Sequence, residues 1–137
     1  NSLPPGLDPR AVAERLNTLA DRIVCVRGNC DSEVDQMLLD FPVLADYAWV
    51  IDEGRRIFLT HGHVYGEECR PRGNFDLLCQ GHTHLPHIAP QLDGSVCLNT
   101  GSPTFPKGGN PPTFALLDGH DLSLRLLDGT VWQSYQF

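Results

Sequence analysis

Three short apolar runs in this chain each pass directly into a glycine-containing motif whose side chains are able to bind a metal ion. The runs and their motifs are 23–26 with Gly28-Asn29-Cys30-Asp31, 57–59 with Thr60-His61-Gly62-His63, and 77–79 with Gly81-His82-Thr83-His84. Short apolar runs of this kind are typical of buried strands. Because ligands of open α/β sheets gather outside the carboxyl ends of the strands, we expect the three motifs to converge at one sheet edge.

The side chains of these motifs favour a divalent ion of the borderline class. Imidazole nitrogen and amide or carboxylate oxygen suit Mn²⁺, Zn²⁺ or Fe²⁺, while the absence of paired cysteines disfavours a structural zinc knuckle. His82 and His84 are the strongest candidates because an H-x-H pair at a strand end points both imidazoles to one side. The pair His61 and His63 is weaker by itself.

The motifs also admit simpler interpretations. Asn29 alone is a common turn residue, a cysteine at position 30 is more often a small buried apolar group, and Asp31 is a candidate helix cap. His87 and His120 are interpreted as solvated or hydrogen-bonded side chains outside the site.

The remaining pattern predicts one α/β domain, because 137 residues suffice for a single core. Asp8 and Pro9 are typical of a helix start, and Val12, Leu16 and Leu19 recur at helical spacing after them. A second helix is predicted over 32–39, and Glu53-Gly54 is predicted to form a hairpin turn. Besides 23–26, the predicted strands are 47–51, 55–60, 75–79, 95–98, 113–117, 122–126 and 131–135.

Charge and cysteine content limit the function classes. A net charge of −7 argues against bulk nucleic-acid binding, although a bound metal ion still attracts a phosphate locally. Five cysteines without a C-x-x-C pair favour reduced thiols and therefore a cytoplasmic protein. We expect no membrane association, because no run approaches the roughly 18 apolar residues of a membrane span.

Taken in order, the three motifs and a fourth, Asn99-Thr100-Gly101-Ser102 followed by 106–111, resemble the later motifs of the calcineurin-like metallophosphoesterases. The similarity covers nearly the whole chain and is greatest to the small bacterial phosphodiesterases of that family. It implies an α/β fold, a four-layer α/β/β/α sandwich of two mixed sheets flanked by helices. It also implies hydrolysis of a small phosphodiester by metal-activated hydroxide.

The resemblance assigns roles to individual residues. It implies that Asn29, His61 and His82 bind one of two divalent ions and that His84 binds the other. The expected metal is Mn²⁺, with Zn²⁺, Fe²⁺ and Ni²⁺ as alternatives. Three further residues have implied catalytic roles, namely Cys30, Asp31 and His63. Many relatives have histidine at the position of Cys30, where it assists the leaving group, so a thiol there predicts a preference for diesters with good leaving groups.

One departure from the family pattern shapes our expectation for the domain. The family begins with a strand ending in Asp-x-His and a second ending in Gly-Asp, and neither motif precedes Gly28. We therefore expect residues 1–137 to be an N-terminally truncated metallophosphoesterase domain, a partial sandwich lacking its first strands. The absence of these strands would expose unpaired strand edges, which favour association with another chain. A homo-oligomer is therefore one of the alternatives.

Two other functions compete with phosphodiester hydrolysis. The retromer subunit of the same fold serves as a protein scaffold, and a chain with half of a metal site can likewise bind partners only. A regulatory metal sensor ranks last because the chain has no recognisable output element, such as a basic recognition helix.

Overall fold

Two β-sheets form the body of the protein, as described by a computed structural model over residues 5–137; residues 1–4 of the predicted domain lie outside the described part. The first sheet contains β1 (Tyr47–Asp52), β2 (Arg55–Thr60), β3 (Leu77–Gln80), β4 (His87–Pro90) and β5 (Val96–Asn99). The second contains β6 (Thr113–Asp118), β7 (Asp121–Leu126) and β8 (Val131–Gln136). The helices are α1 (Pro9–Asn17) and α2 (Glu33–Leu38), with a short 3₁₀ turn at Ala20–Arg22. The predicted α/β class is confirmed.

The first sheet is mixed, with strand order β1-β2-β3-β5-β4. β1 and β2 form an antiparallel hairpin, in which Glu53 and Gly54 both have positive φ, as the predicted two-residue turn requires. β2, β3 and β5 run parallel, so their carboxyl ends share one edge of the sheet. β4 pairs antiparallel with β5 at the far edge, and the second sheet is an antiparallel meander.

The two sheets pack face to face through one apolar cluster. Ile57, Leu77 and Leu98 of the first sheet meet Leu122 and Leu124 of the second, and each of these side chains is buried. Burial of a leucine or isoleucine contributes about 1.5–3 kcal/mol. This cluster anchors the middle of the parallel strands and so fixes the position of the loops at their carboxyl ends.

Both helices begin as their sequences predict. The carboxylate of Asp8 accepts a hydrogen bond from the backbone N–H of Ala11, 3.1 Å away, and Pro9 occupies the first helical turn. At α2, Asp35 accepts from the backbone N–H of Ser32 at 2.8 Å, which completes a capping box. None of the helices among residues 5–137 has the length and apolarity to cross a membrane.

One predicted strand is absent from the described part of the fold, and one observed strand was not predicted. Residues 23–26 form no strand, and Val24 is 61% exposed rather than buried. The backbone is extended at Ile23, but a strand also needs a neighbour to pair with, and no strand within residues 5–137 pairs with this segment. Conversely, β4 is not among the predicted strands; Pro86 precedes it and Pro90 is its last residue. An edge strand tolerates Pro90, because its outer side needs no ladder hydrogen bond.

Candidate metal centre and active site

The loops that follow β2 and β3 carry the histidine motifs to one edge of the first sheet. Leu59 and Cys79 are register partners in the parallel pair, so both strands end at the same level. The rings of His61 and His82 lie 5.0 Å apart between centroids. The predicted convergence of these two motifs is therefore present in the fold.

Three candidate ligand atoms meet at the end of these loops. Asn29 Oδ1 lies 2.9 Å from His61 Nε2, and His82 Nδ1 lies 3.2 Å from the same nitrogen. His61 Nε2 carries either one proton or one lone pair, so it cannot make a good hydrogen bond to Asn29 Oδ1 and another to His82 Nδ1 at the same time. Neighbouring ligand atoms around an ion bound at about 2.1 Å are themselves about 3.0–3.4 Å apart. The two separations from His61 Nε2 are therefore close to those expected around a shared divalent cation.

The electrostatic surroundings of His61 favour the neutral form that a metal requires. Burial lowers the pKa of His61, and the neighbouring imidazoles of His82 and His63 lower it further, against a smaller opposite effect of Asp31. A neutral imidazole keeps a lone pair available for coordination.

Both histidines of the second pair have an unusual backbone conformation. His82 has φ 65° and His84 has φ 61°, the left-handed region that few residues other than glycine adopt. Each such residue costs about 1–3 kcal/mol and persists only when its surroundings hold it, which is a recurrent feature of functional sites. The conformation turns the chain tightly at each histidine of the motif.

His84 is oriented by the loop that follows β5. Its Nδ1 lies 2.7 Å from the carbonyl oxygen of Phe105, which can only accept, so Nδ1 carries the proton and Nε2 keeps its lone pair. Metal-binding histidines are commonly oriented by a carbonyl in this way. His61, His82 and His84 all line one cavity of about 340 Å³.

The predicted catalytic residues lie around this cluster. The ring of His63 lies 5.2 Å from that of His61, and its Nδ1 is buried without a hydrogen-bond partner in residues 5–137. Asp31 accepts from the backbone N–H of Gly28 at 2.7 Å, which closes the turn that presents Asn29. Cys30 is exposed, with its sulfur 3.5 Å from Asn29 Nδ2.

The candidate metal ligands are not all histidines or charged side chains. Within the described chain, no three His, Cys, Asp or Glu side chains are grouped as a metal site. The centre instead combines two imidazoles with the amide oxygen of Asn29. These residues fit one divalent ion, and the free Nε2 of His84 fits a ligand of a second.

Two features of the site were not predicted from the pattern alone. Asn99 is fully buried, and its side-chain nitrogen donates to Gly81 and Thr83, so it supports the H-x-H loop from below. His87 is hydrogen-bonded, in agreement with its interpretation, but its partner Glu67, with 2.9 Å between Nε2 and Oε2, was not predicted. The family resemblance included the motif that contains Asn99 but implied no role for Asn99 itself. The spacing of residues in the sequence gave no signal that Glu67 is the partner of His87.

The interpretation of His120 as hydrogen-bonded is confirmed. Its Nδ1 lies 3.1 Å from a guanidinium nitrogen of Arg55. It follows Gly119 in the turn between β6 and β7, which belongs to the second sheet. The Asp118-Gly119-His120 triplet has the form Asp-x-His. It lies in a turn of the second sheet, whereas the family's Asp-x-His motif ends the first strand, so the two are not equivalent.

Comparison with known proteins places this arrangement in a family. Residues 8–121 match the model of the calcineurin-like phosphoesterase superfamily domain. Phosphodiesterase YfcE of Escherichia coli K12 is 51% identical over 129 residues, which cover 93% of this chain and 70% of that protein. The structure of YfcE superposes with a TM-score of 0.89 at 46% identity, covering 99% of this chain and 75% of YfcE.

Two more distant proteins extend the comparison. A probable metallophosphoesterase of Methanothermobacter thermautotrophicus is 32% identical over 130 residues, covering 85% of this chain and 67% of that protein. Vps29 of Chaetomium thermophilum shares the fold, with a TM-score of 0.60 at 21% identity over 93% of this chain and 74% of Vps29.

Proposed function

The chain is an enzyme of the calcineurin-like phosphoesterase superfamily, of the small bacterial branch, and we propose that it is a metal-dependent phosphodiesterase. The observation that supports metal dependence most directly is the meeting of Asn29 Oδ1, His61 Nε2 and His82 Nδ1, with separations of 2.9 and 3.2 Å. The phosphodiester specificity follows the similarity to YfcE, a phosphodiesterase.

The proposed ligands divide between two ions. Asn29, His61 and His82 bind one ion, and His84 binds the other through Nε2. Two divalent ions, when bound, supply Lewis acidity toward the phosphoryl oxygens and an activated water for attack at phosphorus. Two of the proposed ligands are oriented by other parts of the chain. The Phe105 carbonyl fixes the ring of His84, and the Asp31 carboxylate closes the turn that contains Asn29.

Other residues act on the substrate rather than on the ions. Cys30 is exposed beside Asn29, where its thiol donates a proton to the departing alkoxide oxygen, which leaves as the alcohol. His63 lies next to His61 and His82 and lines the adjoining cavity, where its ring contacts a substrate group. Asp31 acts through the turn and is therefore a positioning residue.

The proposal also covers the metal, the substrate and the cellular location. We propose Mn²⁺ as the native metal, a small phosphodiester as the substrate and the cytoplasm as the location. Cysteine chemistry supports the last point, because the five thiols include no disulfide among the described residues. The excess of carboxylates over basic residues supports a small substrate over a nucleic acid.

The test is hydrolysis of bis-p-nitrophenyl phosphate by the natural full-length protein with and without Mn²⁺. We expect Mn²⁺-dependent release of p-nitrophenolate that His82→Ala reduces by at least about a hundredfold, as for loss of a group that organises the transition state. His120→Ala, in the β6–β7 turn, is the matched control and should retain activity. Bound metal is measured in parallel by elemental analysis.

An inactive, metal-free wild-type protein would overturn the proposal and favour a protein-binding scaffold. The fold shared with Vps29 of Chaetomium thermophilum is compatible with either function, because a fold does not determine chemistry.

A further inference from the structure

A larger cavity, of about 650 Å³, opens beside the candidate metal centre between the loops that follow β2 and β3. His63 and His82 line it on the side of the metal centre, while Glu67 and His87 line it further along these loops. The cavity therefore adjoins the reacting centre and has room for one of the two ester groups of a diester.

The loop that carries Glu67 is held firmly against β3. The side-chain oxygen of Gln80 accepts from the backbone N–H of Glu67 at 3.0 Å. A side chain at Gly66 would overlap the same oxygen, so glycine lets the loop pass close over Gln80. The backbone N–H of Gly66 also donates to Cys69 at 3.0 Å. These contacts shape the cavity in advance of any ligand.

A hydrogen bond joins the two loops at the cavity. Glu67 Oε2 lies 2.9 Å from His87 Nε2, and His87 Nδ1 lies 3.0 Å from the carbonyl oxygen of Leu85. These two contacts fix the orientation of the His87 ring and hold the carboxylate of Glu67 at the wall. The second carboxylate oxygen of Glu67 has no hydrogen bond to any residue in 5–137.

The lining carries an excess of negative charge. Its described residues include Glu67, Glu68 and His87 but no lysine or arginine. Arg70 donates to the backbone carbonyl of Glu67 at 3.3 Å but does not line the cavity, so no lysine or arginine of the described wall pairs with either carboxylate. A second anionic group on the substrate is disfavoured here, and an ammonium group is favoured.

We propose that this cavity selects phosphodiesters of amino alcohols, with the ammonium group bound by Glu67 and Glu68. The inference rests on the proposed phosphodiesterase function and specifies its substrate class. Glu67 and Glu68 are specificity-determining residues, and the hydrogen bond with His87 keeps Glu67 in place.

Three diesters that release the same p-nitrophenolate test the inference. They are 2-aminoethyl, ethyl and 2-carboxyethyl p-nitrophenyl phosphate, and they differ in the terminal group of the second ester, which is cationic, absent or anionic. We expect kcat/KM to fall in that order, with the aminoethyl ester about threefold to fivefold better than the ethyl ester. This is the range expected for a partly exposed ion pair of up to about 1 kcal/mol. The difference should lie in KM.

Matched variants separate recognition from folding. Glu67→Gln keeps the shape and an acceptor for His87, and Glu68→Gln removes the second carboxylate. Each should lower the aminoethyl-to-ethyl ratio, and the double variant should bring it close to one. Glu14→Gln, on the exposed surface of α1, is the control and should leave the ratio unchanged. A ratio between two substrates is unaffected by a general loss of folded protein.

The outcomes distinguish the two proposals. Hydrolysis of bis-p-nitrophenyl phosphate together with an aminoethyl preference that depends on Glu67 and Glu68 supports both. The same hydrolysis with no preference, or with a preference that both variants keep, overturns the amino-alcohol inference and leaves the phosphodiesterase intact. Absence of bis-p-nitrophenyl phosphate hydrolysis in the wild type overturns both.

Discussion

Asn99 holds Thr83 in place, with its side-chain nitrogen 2.9 Å from the hydroxyl oxygen of Thr83. The same amide donates to the carbonyl of Gly81 at 3.0 Å and accepts from the backbone N–H of Gly101 at 2.9 Å. Thr83 lies between the two histidines with left-handed backbone. One fully buried amide at the end of β5 thus connects the H-x-H loop to the following loop.

Substitution Asn99→Ala should therefore destabilise the protein and loosen the metal centre together. The change leaves buried polar groups without partners, at a cost of about 2–4 kcal/mol in the free energy of unfolding. Urea unfolding measures this loss, and Mn²⁺ titration measures the accompanying fall in affinity. Asn74→Ala, at an exposed loop position, is the control and should change stability by no more than about 0.5 kcal/mol. Equal stabilities would contradict the role of Asn99.

Gly101 should tolerate no side chain, for two separable reasons. Its φ of +70° disfavours any other residue, and an added Cβ would overlap the hydroxyl of Thr113 and lie 2.9 Å from Pro86 Cβ. We expect Gly101→Ala to cost about 3 kcal/mol or more in thermal or urea unfolding. Gly119→Ala shares the positive φ but meets no atom within 4 Å, so it should cost only about 1 kcal/mol. Similar costs for the two variants would show that the overlap relaxes.

The sequence was most informative where local chemistry determines local structure. Asp8 as a helix cap and Glu53-Gly54 as a hairpin turn both act within a few residues, and both predictions are confirmed. The meeting of His61 with His82 was predictable because parallel strands end at a common edge.

Features that depend on distant residues were harder to predict. The strand prediction for 23–26 failed because an apolar run shows a preference for burial but not whether a partner strand is present. The contact of Asn99 with Thr83 spans 16 residues and that of Glu67 with His87 spans 20. Neither pair belongs to a periodic pattern, so only the folded chain brings the partners together.

Cys30→His should widen the range of diesters that the enzyme hydrolyses. Imidazolium transfers a proton to a departing alkoxide more readily than a thiol does, and such general acids contribute about 10²–10⁴-fold. We expect a rise in kcat for alkyl diesters with poor leaving groups and little change for bis-p-nitrophenyl phosphate. Cys30→Ser, of similar size, is the control and should produce no such rise. An unchanged profile across leaving groups in Cys30→His would remove Cys30 from the proposed mechanism.

Binding of Mn²⁺ should stabilise the folded protein in proportion to occupancy, independently of any substrate. An ion that binds only the folded state at a concentration of 100 times Kd adds about 2.7 kcal/mol, which for a domain of this size raises Tm by several degrees. His61→Ala should lose most of the Mn²⁺-induced rise, since His61 Nε2 faces both Asn29 and His82. His120→Ala should keep the rise, and EDTA should reverse it. Equal Mn²⁺-induced rises in the wild type and in His61→Ala would place the bound ion elsewhere in the protein.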